Sequence, residues 1–207
     1  MIRYIVGLGN ASEKYLHTRH NVVYWLLDRF SFQFNNQIND DKIYHQNDVS
    51  IYKMRQYKNV ILVYPLFNIN YSGSAVLSLM EHFGAEPDEI LIVHDDMNLP
   101  VGKIKFKKSV GDGGHNGIRD VFAKTGTKDF YRIKIGIGKT DKDWLKNNSW
   151  LGYVLGQPDN DEMSKINYSI DICIQEINDN ILFGDEHNIQ MAMNRLNSYN
   201  SDFEFTK

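Results

Sequence analysis

Cysteine is nearly absent from this chain: Cys173 is the only one among 207 residues, so an internal disulfide is impossible and a thiolate metal cluster is excluded. Any chemistry therefore rests on oxygen and nitrogen groups. Proline is scarce too, with four scattered residues, and no repeat or low-complexity block marks a linker. No stretch approaches the roughly 18 apolar residues of a membrane span. The opening MIRYIVGLGN is interrupted by Gly7 and Gly9 too early for a signal peptide. A cytoplasmic protein with no membrane partner is expected. No G-x-S-x-G surrounds Ser72, Ser74 or any other serine, which removes the nucleophile elbow of a serine hydrolase. Ser72 instead suits the N-cap of the helix that follows it.

The chain has enough apolar material, at 42% with 13% aromatic, for one core of ordinary size. Runs rich in β-branched and aromatic residues predict strands over 3–6, 50–54, 60–63, 90–94, 103–107 and 132–137. Helices fall between them. Val76, Leu79, Met80 and Phe83 repeat at helical spacing before Gly84, and Ile118, Val121 and Phe122 do so before Gly126. Met163, Ile166, Ile170, Cys173, Ile174 and Ile177 make a longer stripe that starts after Pro158 and Asp159, and this places Cys173 in the core. Strands alternating with helices imply a single-domain α/β fold, a three-layer sandwich with a central mixed sheet flanked by helices. The expected domain covers 1–183. The polar segment 184–207 is expected to be helical or partly disordered, and the protein monomeric.

Net charge is only -3, but residues 103–139 carry ten Lys and Arg against three Asp, so the rest of the chain sums to -10. Within this stretch GKIKFKK alternates with period two. A strand there would put Lys103, Lys105 and Lys107 on one face and Ile104 and Phe106 on the other. Such a cationic stripe suits a polyanion, and Arg119, Lys124, Arg132, Lys134 and Lys139 would widen it.

Polar residues at the carboxyl ends of strands face the ligand crevice of open α/β sheets. Four polar clusters sit at such breaks: GLGN (7–10) leading to TRHN (18–21), NINYSG (68–73), HDD (94–96) and GDGGHNG (111–117). The first contains G-x-G without the third glycine of a dinucleotide loop, since position 12 is Ser. His20, near a helix start, is either structural or a general base titrating near neutrality. Asp95 ends an apolar strand and is either a turn residue, as is Asp96, or an acid that fixes the tautomer of a histidine. Asn10, Asn70 and Asn116 are turn formers singly, but with a histidine they would orient a water and a neutral ester without a metal. Pairing His17 with His20, or His94 with Asp95 and Asp96, fits no strong zinc motif, so neither metal nor cofactor is expected.

Together, IVGLGN, Tyr15, TRHN, the N-Y-S-G at 70–73, ILIVHDD with Leu99 and Pro100, GGHNGIRD, RIKIGIG and YVLG resemble bacterial-type peptidyl-tRNA hydrolase across about residues 1–183. The resemblance implies a cofactor-free α/β monomer that hydrolyses the ester between a peptide and the ribose of tRNA, recycling tRNA from aborted translation. It implies His20 as proton acceptor, Asp95 as the acid supporting it, and Asn10 as the residue that separates blocked from unblocked aminoacyl-tRNA. It places Tyr15, the position of Asn68, Asn70 and Asn116 in the substrate-contacting set. Asn21 and the cationic residues Lys103, Lys105, Lys107 and Lys134 are further expected contacts with the substrate or tRNA. The chain departs from the family pattern at Ala11 and Ser12, where Pro-Gly is common, and at Asn68 and Ile69, where an aromatic and Met are usual. Asn98 stands for a usual Asp. Lys134 stands for a frequent Arg, keeping the charge but losing the bidentate fork.

Two rival readings use the same residues. A non-catalytic RNA-binding protein on the same scaffold, like the chloroplast group II intron splicing factors that resemble this family, would keep the lysine stripe. A small-molecule esterase would not need it, and salt dependence of binding separates that reading from both RNA readings.

Overall fold

The computed structural model describes residues 1–34, 42–46, 49–138 and 149–199. Seven strands, β1 (Tyr4–Gly7), β2 (Lys42–Gln46), β3 (Val49–Tyr57), β4 (Val60–Pro65), β5 (Ile90–Asp96), β6 (Ile104–Lys108) and β7 (Tyr131–Gly136), make one sheet. Their order is β2-β3-β4-β1-β5-β7-β6. Strand β1 runs parallel to β4 and β5, and β5 parallel to β7, whereas β2, β3 and β6 join antiparallel. The sheet is therefore mixed, as the sequence predicts.

Period-two alternation divides the central strands between two cores. Tyr4, Val6, Ile90 and Ile92 pack with helices α2 (Gly73–Phe83) and α3 (Asn116–Thr125) through Val76, Leu79, Ile118 and Val121. Ile5, Leu91, Val93, Ile133 and Ile135 face the other side. There they meet α1 (Val22–Gln33), α5 (Asn160–Glu176) and α6 (Glu186–Ser198), with a short helix, α4 (Trp150–Val154), nearby in sequence. This is the three-layer sandwich. Each fully buried Leu, Ile or Phe contributes about 1.5–3 kcal/mol, so the two cores dominate the fold's stability.

The helix boundaries follow local chemistry. Asp159 and Glu162 form a reciprocal capping box at the start of α5, with Asp159 accepting from Glu162 N–H at 2.9 Å and Glu162 from Asp159 N–H at 3.0 Å. Gly84 and Gly126 close α2 and α3 at φ 62° and 71°, a left-handed conformation that favours glycine. Cys173 is fully buried, as its place in the apolar stripe predicts. Ser72 corrects one expectation: it occupies the N-cap position of α2, but its hydroxyl donates to the Ile69 carbonyl at 2.7 Å. Asp120 of α3 instead accepts from the Gly73 N–H, at 2.8 Å, so α3 supplies the cap for the start of α2.

At the sheet's outer margin, α6 seals β6. The Asn197 carboxamide accepts from Phe106 N–H at 2.9 Å and donates to Phe106 O at 3.0 Å. The parallel strands β4, β1, β5 and β7 all end on one side, so the connections after Gly7, Pro65, Asp96 and Gly136 gather there. A Cβ at Gly136 would overlap the Pro100 carbonyl, so glycine is what lets the loop after β5 lie against the end of β7. Among the described residues no helix is long and apolar enough to cross a membrane.

Candidate active site

A cleft of about 430 Å³ opens at these strand ends. His20 enters it from the turn Arg19–Asn21 that leads into α1, and Asp95 from the end of β5. His20 Nδ1 lies 2.8 Å from Asp95 Oδ1. Asp95 is only 2% exposed, and a buried carboxylate needs donors on it. It has two, because His115 Nε2 also lies 3.1 Å from the same oxygen.

Hydrogen-bond polarity fixes the protons in this network. Burial alone would raise the Asp95 pKa, but the His20 charge and the hydrogen bonds from His115 and His20 outweigh it and hold the group well below the usual carboxylate range. An ionised Asp95 only accepts, so the proton of neutral His20 sits on Nδ1 and leaves Nε2 as the basic atom. His115 caps α3, its Nδ1 accepting from Ile118 N–H at 3.2 Å, so its own proton sits on Nε2. For His20, burial disfavours the cation, yet the Asp95 charge and hydrogen bond win, and its pKa rises above the ordinary 6.5. His94, wholly buried, is driven the other way by burial and by neighbouring His115 and Arg132. Its Nδ1 donates to the Asp95 carbonyl at 2.7 Å.

The donor atoms of His20, Asp95 and His115 lie within 4.8 Å of one another, a spacing that would suit a metal ion. Proton placement argues against one. A ligating His115 Nε2 would have to lose its proton or pass it to Nδ1, where it would meet the Ile118 N–H. The fold does not assemble either sequence-level pairing, His17 with His20 or His94 with the carboxylates of Asp95 and Asp96, into such a donor group among the described residues.

Several other expected residues converge on the cleft: Asn10, Tyr15, Asn68, Asn70 and Asn116 all line it. Asn68 accepts from Asn70 N–H at 3.0 Å and caps the turn Ile69–Tyr71, a use for a carboxamide where the family pattern has an aromatic. Asn21 is different. It is fully buried, accepting from Asn10 N–H at 2.7 Å and donating to Asn10 O at 2.9 Å, so it holds the Asn10 backbone from behind. The cleft also has an apolar lining, from Met97, Trp150, Leu151, Val154 and Leu155.

The lysine stripe is only partly available to a ligand. Ile104 and Phe106 are buried as period two requires, and Lys107 is exposed. Lys103 donates to the Tyr199 carbonyl, and Lys105 to the Asn197 carbonyl at 3.5 Å, both beside the C-terminus of α6. Lys134 pairs with Asp96 at 3.0 Å, Arg119 with Asp112 at 3.6 Å and Lys124 with Asp120 at 3.1 Å. Arg132, expected on the cationic face, is wholly buried and donates to the Val110 and Gly111 carbonyls at 2.5 and 2.7 Å, bracing the loop before α3. Lys139 lies outside the described residues. Asn98 also steadies that loop, donating to Gly113 O at 3.1 Å, which the more usual carboxylate cannot do.

Sequence reasoning missed His115. It lies in the quoted GDGGHNG loop, and the available signal was a polar residue just before a helix start.

A histidine oriented by a buried acid, beside carboxamides at the carboxyl ends of parallel strands, defines an α/β acid–base enzyme. A sequence model described as Peptidyl-tRNA hydrolase matches residues 4–204. Peptidyl-tRNA hydrolase of Dichelobacter nodosus is 38% identical over 186 residues, covering 90% of this chain and 95% of that protein. That of Haemophilus influenzae is 38% identical over 202 residues, covering 96% and 97%. The crystal structure of the Acinetobacter baumannii enzyme of the same name superposes with a TM-score of 0.79 at 28% identity, covering 97% of this chain and 96% of that one. The chain belongs to the peptidyl-tRNA hydrolase family.

Proposed function

We propose that this protein hydrolyses the ester joining a peptide to the ribose of tRNA, releasing both and recycling the tRNA. The observation that carries the reading is the 2.8 Å contact between His20 and Asp95 in a cleft lined by Asn10, Asn70 and Asn116. Neutral His20 takes a proton from water through Nε2 as the oxygen forms its bond to the ester carbonyl carbon. The imidazolium is stabilised by Asp95. Carboxamide N–H groups of Asn70 or Asn116 donate to the developing oxyanion, each such donor being worth about 3 kcal/mol in the transition state. Collapse breaks the bond to the ribose oxygen, which receives the proton from His20, and the peptide leaves with a free carboxylate. Asn10 reads the amide of a blocked α-amino group. Lys107, with Lys105 and Lys134 beside it, faces the tRNA phosphates, and Tyr15 and Asn68 complete the contacts. The enzyme works as a cytoplasmic monomer.

The test is hydrolysis of N-acetylated and unblocked aminoacyl-tRNA with EDTA present. Rapid cleavage of the blocked substrate alone is expected. Salt-sensitive tRNA binding without cleavage would move the protein to the RNA-binding reading.

The pH dependence follows from His20. Its raised pKa means that the base is protonated, and inactive, below a point above 6.5. The acid limb of kcat/KM is therefore expected above 6.5, with activity falling as pH drops through it, which a pH–rate profile measures. A limb at or below 6.5 contradicts control of His20 by Asp95.

A further inference from the structure

The His20–Asp95 contact has a third member that faces both groups. His115 occupies the N-cap of α3, its side chain taking the role usually given to Ser or Asp. Its ring centroid lies 5.5 Å from that of His20 and 4.9 Å from that of His94. Its two nitrogens are divided between two duties: Nδ1 accepts from Ile118 N–H at 3.2 Å, and Nε2 meets Asp95 Oδ1 at 3.1 Å. A helix N-terminal N–H cannot accept, so the first duty dictates the second.

We infer that His115 is a positioning residue: α3 locks its tautomer, and the resulting Nε2–H fixes Asp95 and shares the carboxylate charge with His20. The lock serves the base in two ways. Asp95 cannot turn from His20 without losing a donor that the helix cannot re-aim. The second donor also takes part of the attraction that Asp95 would otherwise spend on the His20 cation, which keeps His20 from becoming too strong a base to lose its proton near neutrality. The other charged groups near His20 are already paired. Asp96 is held by Lys134, Asp112 by Arg119, and adjacent Arg19 turns to Glu162 at 2.6 Å and to the Tyr153 ring. The adjustable interaction is therefore the one at Asp95.

The inference rests on the proposed role of His20, but its test needs no substrate. Nitrogen-15 and proton NMR of the intact protein report which nitrogen of His115 is protonated and the titration midpoint of His20, in wild type and in His115→Asn. Asn places an acceptor near the position of Nδ1 and so keeps the cap on Ile118, but it is too short to donate to Asp95. The expected results are a wild-type His115 protonated on Nε2 and a His20 midpoint raised by roughly one unit in the variant. A purely structural role would lower the melting temperature and leave that midpoint in place. A wild-type His115 protonated on Nδ1, or an unmoved His20 midpoint in folded His115→Asn, overturns the inference. The hydrolysis assay fails or succeeds independently of either result.

Discussion

His20→Ala is expected to slow cleavage of N-blocked aminoacyl-tRNA by on the order of 10²- to 10⁴-fold, the usual contribution of a positioned general base. The loss should fall on kcat. His20 lines the cleft, whereas the phosphate-facing lysines lie on β6 and β7, so tRNA affinity and its salt dependence should be unchanged. The fold should survive as well, because the His20 ring is partly exposed and the side chain is not part of either apolar core. Single-turnover rates on blocked substrate, with binding measured in parallel, separate these terms. A variant that keeps wild-type kcat would remove His20 from the mechanism.

Asp95→Asn should be nearly as damaging, for a subtler reason. His20 Nδ1 and the His115 Nε2–H meet the same oxygen of Asp95, so the introduced carboxamide should keep its oxygen at that place and preserve both tautomers, with its NH₂ where Oδ2 stood. What disappears is the negative charge that stabilises the His20 imidazolium as it forms. A loss on the order of 10²- to 10⁴-fold in kcat is expected. Without the carboxylate, burial dominates at His20 and lowers its pKa, so any residual activity should have its acid limb at lower pH than wild type. The pH–rate profile of the variant checks this. A loss of rate with an unmoved limb would mean that Asp95 acts on something other than His20.

Much of this arrangement was legible in the sequence because it rests on local patterns. Alternation of Ile104 and Phe106 with lysines, the apolar run Ile90–Val93 and the stripe Ile166–Ile170–Cys173–Ile174 each carry their own period, and the structure places them accordingly. A helix start near His20 was visible, but the extent of α1 was not. Its run VVYWLLDRFSFQ mixes β-branched and aromatic residues that favour strands when packing does not decide, and its N-cap Asn21 spends its side chain on Asn10. Helix α6 was legible only as an alternative to disorder, because its composition is polar and Ile189, Ala192 and Leu196 are the only residues it buries. The site was legible as a set of residue types at strand ends. What could not be read was convergence. Nothing in the spacing of positions 20, 95 and 115 shows two rings meeting one carboxylate oxygen. Nor can a lysine stripe reveal that the end of a distant helix claims Lys103 and Lys105.

The carboxamide of Asn197 gives the sheet its boundary. An outermost strand normally offers a ladder of unspent donors and acceptors that can recruit another chain. Here one side chain imitates the rung that an eighth strand would supply at Phe106. Where the sheet stops is thus decided from the far end of the polypeptide, by a residue synthesised some ninety positions after the strand it silences. During synthesis β6 emerges before its stopper exists. The last turns of α6 therefore occupy the free edge of β6 at Phe106 as well as adding Leu196 to the core.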